Sequence, residues 1–280
     1  AEPQAFAEPF LRQISPRTPA AEKELIEHTG DVVALTRRFS AAEQEAIQRC
    51  LAIMCTGMSD FARRRSRRGL PASADLDRYC YVVAGCVGEM LTELFCAYSP
   101  EIAVHRPRMM ALASSFGQGL QMTNILKDIW DDWEHGACWL PRDVFALRGI
   151  DISDLASERE TPAFAQSIDA LVGVARGHLV RALEYTQLLP ASETGIRRFC
   201  LWAIGLAVLT LRNIHRQPNF ASGQEVKVSR RSLRATIATL NALAGHDRGL
   251  SLVFAIATRG LPQSSTVPET DDDGMSRAES

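Results

Sequence analysis

The stretch Gly117–Pro141, GQGLQMTNILKDIWDDWEHGACWLP, decides how the rest of the chain is read. At a helical period of about 100° per residue, Gln121, Asn124, Asp128 and Asp132 fall at about 0°, 300°, 340° and 20°, forming one polar stripe. Met122, Ile125, Leu126, Ile129, Trp130 and Trp133 occupy the neighbouring arc. The spacing therefore predicts a helix with an apolar wall beside a line of oxygen ligands. Two carboxylates one turn apart, preceded by an Asn and a Gln, make a hard oxygen array suited to Mg²⁺ that also holds phosphate oxygens. The alternative is a solvated amphipathic face. Such faces usually mix Lys and Glu at i, i+4, whereas this stripe carries amides and acids with no cation of its own.

Outward from this stretch, the 280 residues have a hydrophobic content of 46%, enough for one large domain or two small ones. No period-2 alternation is long enough to build a sheet, so the chain reads as all-α. A formal net charge of −2 gives no global attraction to nucleic acid, so any electrostatic recognition must be local. Cysteines at 50, 55, 80, 86, 96, 138 and 200 contain no C-x-x-C pair, which suits reduced thiols in a cytoplasmic compartment better than a zinc site. No uninterrupted apolar run reaches the roughly 18 residues needed to cross a bilayer, and the first residues lack the pattern of a secretory signal. Rossmann or Walker glycine loops, nucleophile elbows and histidine ligand spacings are absent. The Ser-, Thr-, Pro- and Asp-rich end, 262–280, reads as a disordered tail beyond a helical domain of 1–261.

In order, helices are expected over 6–14, 20–39 and, opened by a Ser40/Glu43 capping box, to about Arg65. The last of these ends in the basic cluster Arg63, Arg64, Arg65, Arg67 and Arg68, closed by Gly69. That cluster is either solvated or an anion site, since guanidinium forks match phosphate oxygens. A helix over 75–98 carries Ala84, Gly85 and Gly88, and each mid-helix Gly costs about 1 kcal/mol relative to Ala, so something approaches that backbone closely. Pro141 is placed at N1 of a short helix, and further helices are expected over 162–189, 193–215 with Ser192 as N-cap, and 231–244. Lys227 and Arg230 are surface charges or anion ligands. Leu250–Ala257 reads as a core helix.

Two motifs carry a family resemblance. Gln121-x-x-Asn124-x-x-x-Asp128-x-x-x-Asp132, followed by Gly136 and Trp139-Leu140-Pro141, resembles the second aspartate-rich motif of the squalene and phytoene synthases, head-to-head prenyl transferases. Tyr79-Cys80-x-x-Val83-Ala84-Gly85-x-Val87-Gly88 resembles their other signature, in the right order upstream. The resemblance spans about Gln44 to Arg231. It implies an isoprenoid-synthase-type helical bundle around an apolar cavity. Asn124, Asp128 and Asp132 would hold Mg²⁺, with Gln121 and Lys127 on phosphate oxygens and Tyr79 catalytic beside Asp128 and Asp132. Arg64, Lys227 and Arg230 would meet diphosphate, and Gly85 would let a prenyl chain lie close. Tyr79 can equally be a core tyrosine, and the small residues can equally serve tight helix packing.

This sequence departs from the family pattern at several places. Lys127 and Ala137 stand where Arg is common, Trp139 where Phe or Tyr is usual, and Cys86 where an aliphatic residue or Ala is usual. The first Asp-x-x-x-Asp expected upstream of Tyr79 is not found, so the chain reads as one without its N-terminal helices, with genuine loss of that motif as the alternative. The implied activity is condensation of two farnesyl diphosphates to presqualene diphosphate and squalene, the latter needing NADPH, for which no recognisable site is present. Phytoene synthesis from geranylgeranyl diphosphate and a non-catalytic assembly or lipid-binding role are the other readings. Prenyl substrates also imply peripheral membrane contact.

Overall fold

The computed structural model describes residues 7–264, so the predicted tail lies outside the described residues except at its start. The chain divides into two compact units, 1–51 and 52–280. The helices are α1 (Ala7–Leu11), α2 (Ala20–Glu27), α3 (Thr29–Thr36), α4 (Ala41–Arg63), α5 (Ser73–Cys80), α6 (Cys86–Tyr98), α7 (Pro100–Ala103) and α8 (Arg106–Lys127). They continue with α9 (Ile129–Glu134), α10 (Arg142–Ala146), α11 (Leu155–Glu158), α12 (Pro162–Leu188), α13 (Thr194–Arg216), α14 (Arg230–Leu243) and α15 (Asp247–Ala257). Among the described residues there is no strand, and one isolated parallel bridge joins Leu70 to Pro141. The all-α expectation holds.

In the first unit the helix expected over 20–39 is broken at His28, whose ring lies 3.0 Å from the Asp31 carboxylate. Thr29 and Gly30 follow, both weak helix formers. The capping box forms as expected, Ser40 N–H donating to Glu43 Oε2 at 2.8 Å and Glu43 N–H to Ser40 Oγ at 3.3 Å.

In the second unit α8 is the central element, packed against α12, α6 and α13. Its Met122, Ile125 and Leu126, with Ile129 and Trp130 of α9, are buried as the periodicity requires. The helix expected over 75–98 contains a π-helical turn, Tyr81–Gly85, between α5 and α6. π turns insert one residue into a helix and carry no strong sequence signal. The small residues flanking it receive the backbone of α8. A Cβ on Gly88 would sit 2.2 Å from the Ala113 carbonyl oxygen, and one on Gly117 would sit 2.0 Å from that of Ala84. Gly117→Ala must push α8 off this turn. Overpacking of this kind costs about 1–3 kcal/mol, and a thermal melt of the variant reads it as a lower Tm; an unchanged Tm would show that the two helices separate freely.

Two boundaries differ from expectation. α13 starts at Thr194 with Glu193 at its N-cap and no side-chain cap, while Ser192, one residue too early, donates to Glu101 at 3.5 Å. Residues 262–264 are not part of a tail, since Pro262, Gln263 and Ser264 pass over Gly173 of α12 and Leu261 is buried. A further correction concerns apolar length. Ser73–Tyr98 and Thr194–Arg216 are long and apolar enough on average to cross a bilayer, although neither is an uninterrupted apolar run. Both pack in the second unit, and core helices meet the same criterion, so this is weak grounds for a span.

Candidate active site

The acidic stripe survives a bend. α8 ends at Lys127, and Asp128, with φ of −98° and ψ of 16°, separates it from α9. Yet Asp128 N–H donates to the Asn124 carbonyl at 2.9 Å and Asp132 N–H to the Asp128 carbonyl at 2.8 Å. The i, i+4 ladder therefore runs through all three proposed ligands and keeps them on one side. Asn124 is exposed and Gln121, Asp128 and Asp132 are partly so, while the apolar arc is inward.

The electrostatics of the stripe are unbalanced. Burial, and next the charge of Asp128, push the Asp132 carboxyl above the usual carboxylate range, with Arg65 opposing. Asp128 is relieved by its neighbour, Lys127 Nζ lying 3.2 Å from Asp128 Oδ2. Lys127, expected on phosphate oxygens, thus pairs with Asp128. Because the folded state raises the Asp132 pKa, its charged form destabilises the fold, and the penalty grows as pH rises through the folded value. Asp132→Asn is therefore expected to raise the Tm at neutral pH in EDTA, with the gain fading on acidification below the ordinary carboxylate pKa. A Tm that falls on substitution at pH 7 would contradict this.

The loop after α13 closes over the bend. A Cβ on buried Gly223 would lie 3.1 Å from the Lys127 carbonyl oxygen, 3.3 Å from Asp128 Oδ1 and 3.4 Å from Asp131 Oδ2, so the loop packs tightly against these acids. Phe220 and Val226 anchor the loop in the core, and Asn213 Nδ2 donates to the Val226 carbonyl at 3.0 Å. Exposed Lys227 reaches Gln224 Oε1 at 3.5 Å within this loop. Arg230 is exposed at the first turn of α14.

Asp132 and Tyr79 face one cavity of about 450 Å³, whose walls include Met58, Phe61, Arg65, His135 and Trp139. Tyr79 stacks on Trp139 at 4.3 Å between centroids, nearly parallel, and takes the edge of Phe61 at 5.0 Å. Burial, then the charges of Asp132 and Cys80, push its hydroxyl up to about 12, so it stays protonated at neutral pH. Arg64 is not among the residues lining this cavity; it lines a second one that shares Phe61 and Trp139 with it. Gly85 meets the Tyr81 ring and the Ser114 carbonyl, which accounts for its small size by helix packing.

Several contacts around the site carry no signal in the sequence. Arg65 reaches the cavity by donating to the His135 carbonyl, a contact across 70 residues. Asp131 joins Asp128 at Gly223. Elsewhere in the second unit, Gln118 Nε2 donates to Asp77 Oδ1 at 2.7 Å, tying α5 to α8, and buried His178 meets Ser115 Oγ at 3.2 Å. Burial holds the His178 pKa down to about 4 and raises that of Asp77. Among the described residues no group of three or more His, Cys, Asp or Glu side chains is placed to hold a metal ion, so the stripe supplies two carboxylates and an amide.

A model of the squalene/phytoene synthase family matches residues 5–232, starting earlier than the motifs alone indicated. A squalene synthase of Gibberella zeae is 28% identical over 214 residues, covering 75% of this chain and 45% of that protein. A squalene synthase of Cyberlindnera jadinii is 28% identical over 210 residues, 73% of this chain and 46% of that protein. A phytoene synthase of Thermus thermophilus is 37% identical over 107 residues, 38% of this chain and 34% of that protein. The chain thus spans less than half the length of these curated relatives. Among solved structures, TcSQS in complex with a ligand superposes with a TM-score of 0.72 at 23% identity, over 96% of this chain and 77% of that one. A dehydrosqualene synthase in complex with a ligand gives 0.62 at 20% identity, over 85% and 75%. At these identities the likeness establishes the fold, which is the all-α isoprenoid-synthase type.

Proposed function

Because the chain belongs to the squalene/phytoene synthase family, we propose that it condenses two farnesyl diphosphates head to head, giving presqualene diphosphate and then squalene. The observation that carries this reading is the shared cavity of Tyr79 and Asp132, acidic on one side and aromatic on the other.

The residues present fit Mg²⁺. Asp132 is disfavoured as an anion by burial and by Asp128, a repulsion that a dication relieves. That ion is commonly held by one or two protein carboxylates with substrate phosphates completing its shell. Asn124, Asp128 and Asp132 would hold it, with Gln121 and Lys127 beside the phosphate oxygens. When bound, Mg²⁺ supplies charge neutralisation for a departing diphosphate. The chain's own part is to shield an allylic cation. Phe61, Tyr79 and Trp139 offer π faces to positive charge and exclude water. The protonated Tyr79 hydroxyl can donate to a departing oxygen or steer the cation, but at neutral pH it is not a phenolate base. Lys227, exposed on the loop whose Gly223 packs against Asp128 and Asp131, would meet the diphosphate. An apolar product fits a cytoplasmic protein working in peripheral contact with a membrane.

The test is product identification with Mg²⁺ and farnesyl diphosphate. Presqualene diphosphate is expected without NADPH and squalene with it. Faster conversion of geranylgeranyl diphosphate to phytoene would replace this reading with the phytoene one, and no product from either substrate would favour a non-catalytic role.

A further inference from the structure

The basic segment that follows α4 divides into two groups. Arg63 pairs with Asp60, Arg65 donates to the His135 carbonyl, and Arg67 Nε donates to the Trp133 carbonyl at 2.8 Å while its guanidinium lies over the Trp133 ring. These three hold the end of α4 and the end of α9. Arg64 and Arg68 are left over, and with Arg142 from the start of α10 they line a cavity of about 250 Å³ that shares Phe61 and Trp139 with the Asp132 cavity but does not include Asp132. Arg64 rests over the Phe61 ring at 5.1 Å and uses its Nε on the Asp60 carbonyl, keeping its terminal nitrogens for other partners.

Two features separate this arrangement from an ordinary solvated basic run. First, the cavity walls are fixed: Cys138 N–H donates to the Ser66 carbonyl, Leu70 N–H to that of Leu140, and Arg142 N–H to that of Leu70, each at 2.9 Å. The three arginines therefore line one cavity from segments that backbone hydrogen bonds hold together. Second, no carboxylate among the described residues lies close enough to take up their guanidinium groups, although Asp151 feels the charge of Arg142. Among the described residues none of the three forms an ion pair with a carboxylate. Asp75, the acid in the lining, accepts the Ala72 N–H at 3.0 Å.

We propose that this cavity is a second anion site, binding a diphosphate group on Arg64, Arg68 and Arg142 without a divalent cation. Guanidinium forks bind phosphate oxygens bidentately, and three of them in one concavity match a group with several anionic oxygens better than a lone phosphate. The recess between Ser66–Pro71 and Cys138–Arg142 favours a small anion over a flat lipid surface. The site uses none of the residues that the condensation reading assigns to metal, so either reading can fail alone. The diphosphate can be free or belong to a nucleoside diphosphate, since Trp139 and Phe61 set aromatic surface beside the cations.

The experiment is calorimetric titration of the full chain with inorganic diphosphate, in EDTA and at physiological ionic strength. Saturable one-to-one binding is expected, weakened about tenfold or more by Arg68→Ala with Arg142→Ala and unchanged by Asp128→Asn with Asp132→Asn. Arg68→Lys with Arg142→Lys keeps the charge but not the forks. It should give an intermediate affinity, and it serves if the alanine variant loses its circular dichroism spectrum. A parallel titration with ADP separates the sources: tighter binding than inorganic diphosphate with the same arginine dependence assigns a nucleoside diphosphate, and equal or weaker binding assigns the free group. No saturable heat, wild-type affinity in both arginine variants, or loss of binding in the aspartate variant would overturn the site. So would arginine-dependent binding to phosphatidylserine vesicles in a protein that ignores inorganic diphosphate.

Discussion

Replacing Tyr79 by Phe in a turning-over preparation is expected to lower the rate with farnesyl diphosphate by about 10²- to 10⁴-fold, the usual loss when an acid/base partner is removed. The same change should barely touch the fold. The ring keeps its stack on Trp139 and the edge contact from Phe61, and neither uses the hydroxyl. Removing one hydroxyl costs stability only about 1 kcal/mol. A tyrosine that serves packing alone gives the reverse pattern, with a lowered Tm and near-normal turnover. Because the hydroxyl pKa stands at about 12, the wild-type rate should not rise with an apparent pKa near neutrality that Tyr79→Phe abolishes. Such a limb would mean that Tyr79 works as a phenolate. Measuring Tm, turnover and pH profile on one preparation separates these roles.

How far the sequence carried the fold and the site depends on the range of the interactions involved. The arc of Met122, Ile125, Leu126, Ile129, Trp130 and Trp133 predicted an inward face, and five of the six are buried because a helix with that pattern has one way to hide it. The Ser40/Glu43 box was legible for the same reason, being complete within four residues. The small residues near Gly85 signalled a close approach but not what approaches. The answer depends on Gly117 of another helix, whose backbone fills the notch. Arg65 and Arg67 looked identical to Arg64 and Arg68 in sequence. What separates them is the placement of the His135 and Trp133 carbonyls some 66 to 70 residues later, which no local pattern encodes. The same holds for the Tyr79–Trp139 stack and for Gly223 against Asp128. Local periodicity placed Asn124, Asp128 and Asp132 on one face, but the cavity that Asp132 lines is built by chain segments distant in sequence.

The acidic stripe gives the second large effect. Asp128→Asn together with Asp132→Asn removes two charges and leaves the shapes of the side chains, so Mg²⁺-dependent binding of farnesyl diphosphate should be lost while the fold persists. The backbone supports that expectation: the hydrogen bonds linking residues 124, 128 and 132 are made by main-chain atoms and do not involve the carboxylates. Asp132 is the more telling of the pair. Its ionised form opposes folding, so the single Asn variant should be more stable than wild type in EDTA yet poorer in Mg²⁺-dependent binding. A purely structural acid does not combine these signs, because losing its partners lowers the Tm. Lys127 adds a check, since its contact with Asp128 predicts that Asp128→Asn alone frees a cation beside the phosphate position. Metal-independent binding of diphosphate should then not weaken, while Mg²⁺-dependent binding does. With two carboxylates and one amide in reach, Mg²⁺ alone should bind weakly and tighten when diphosphate is present, because that ion relies on substrate phosphates to complete its shell. Calorimetry with Mg²⁺ and diphosphate, separately and together, on wild type and the double variant reads all of this. Equal Mg²⁺-dependent affinity in the two proteins would remove Asp128 and Asp132 from the metal site.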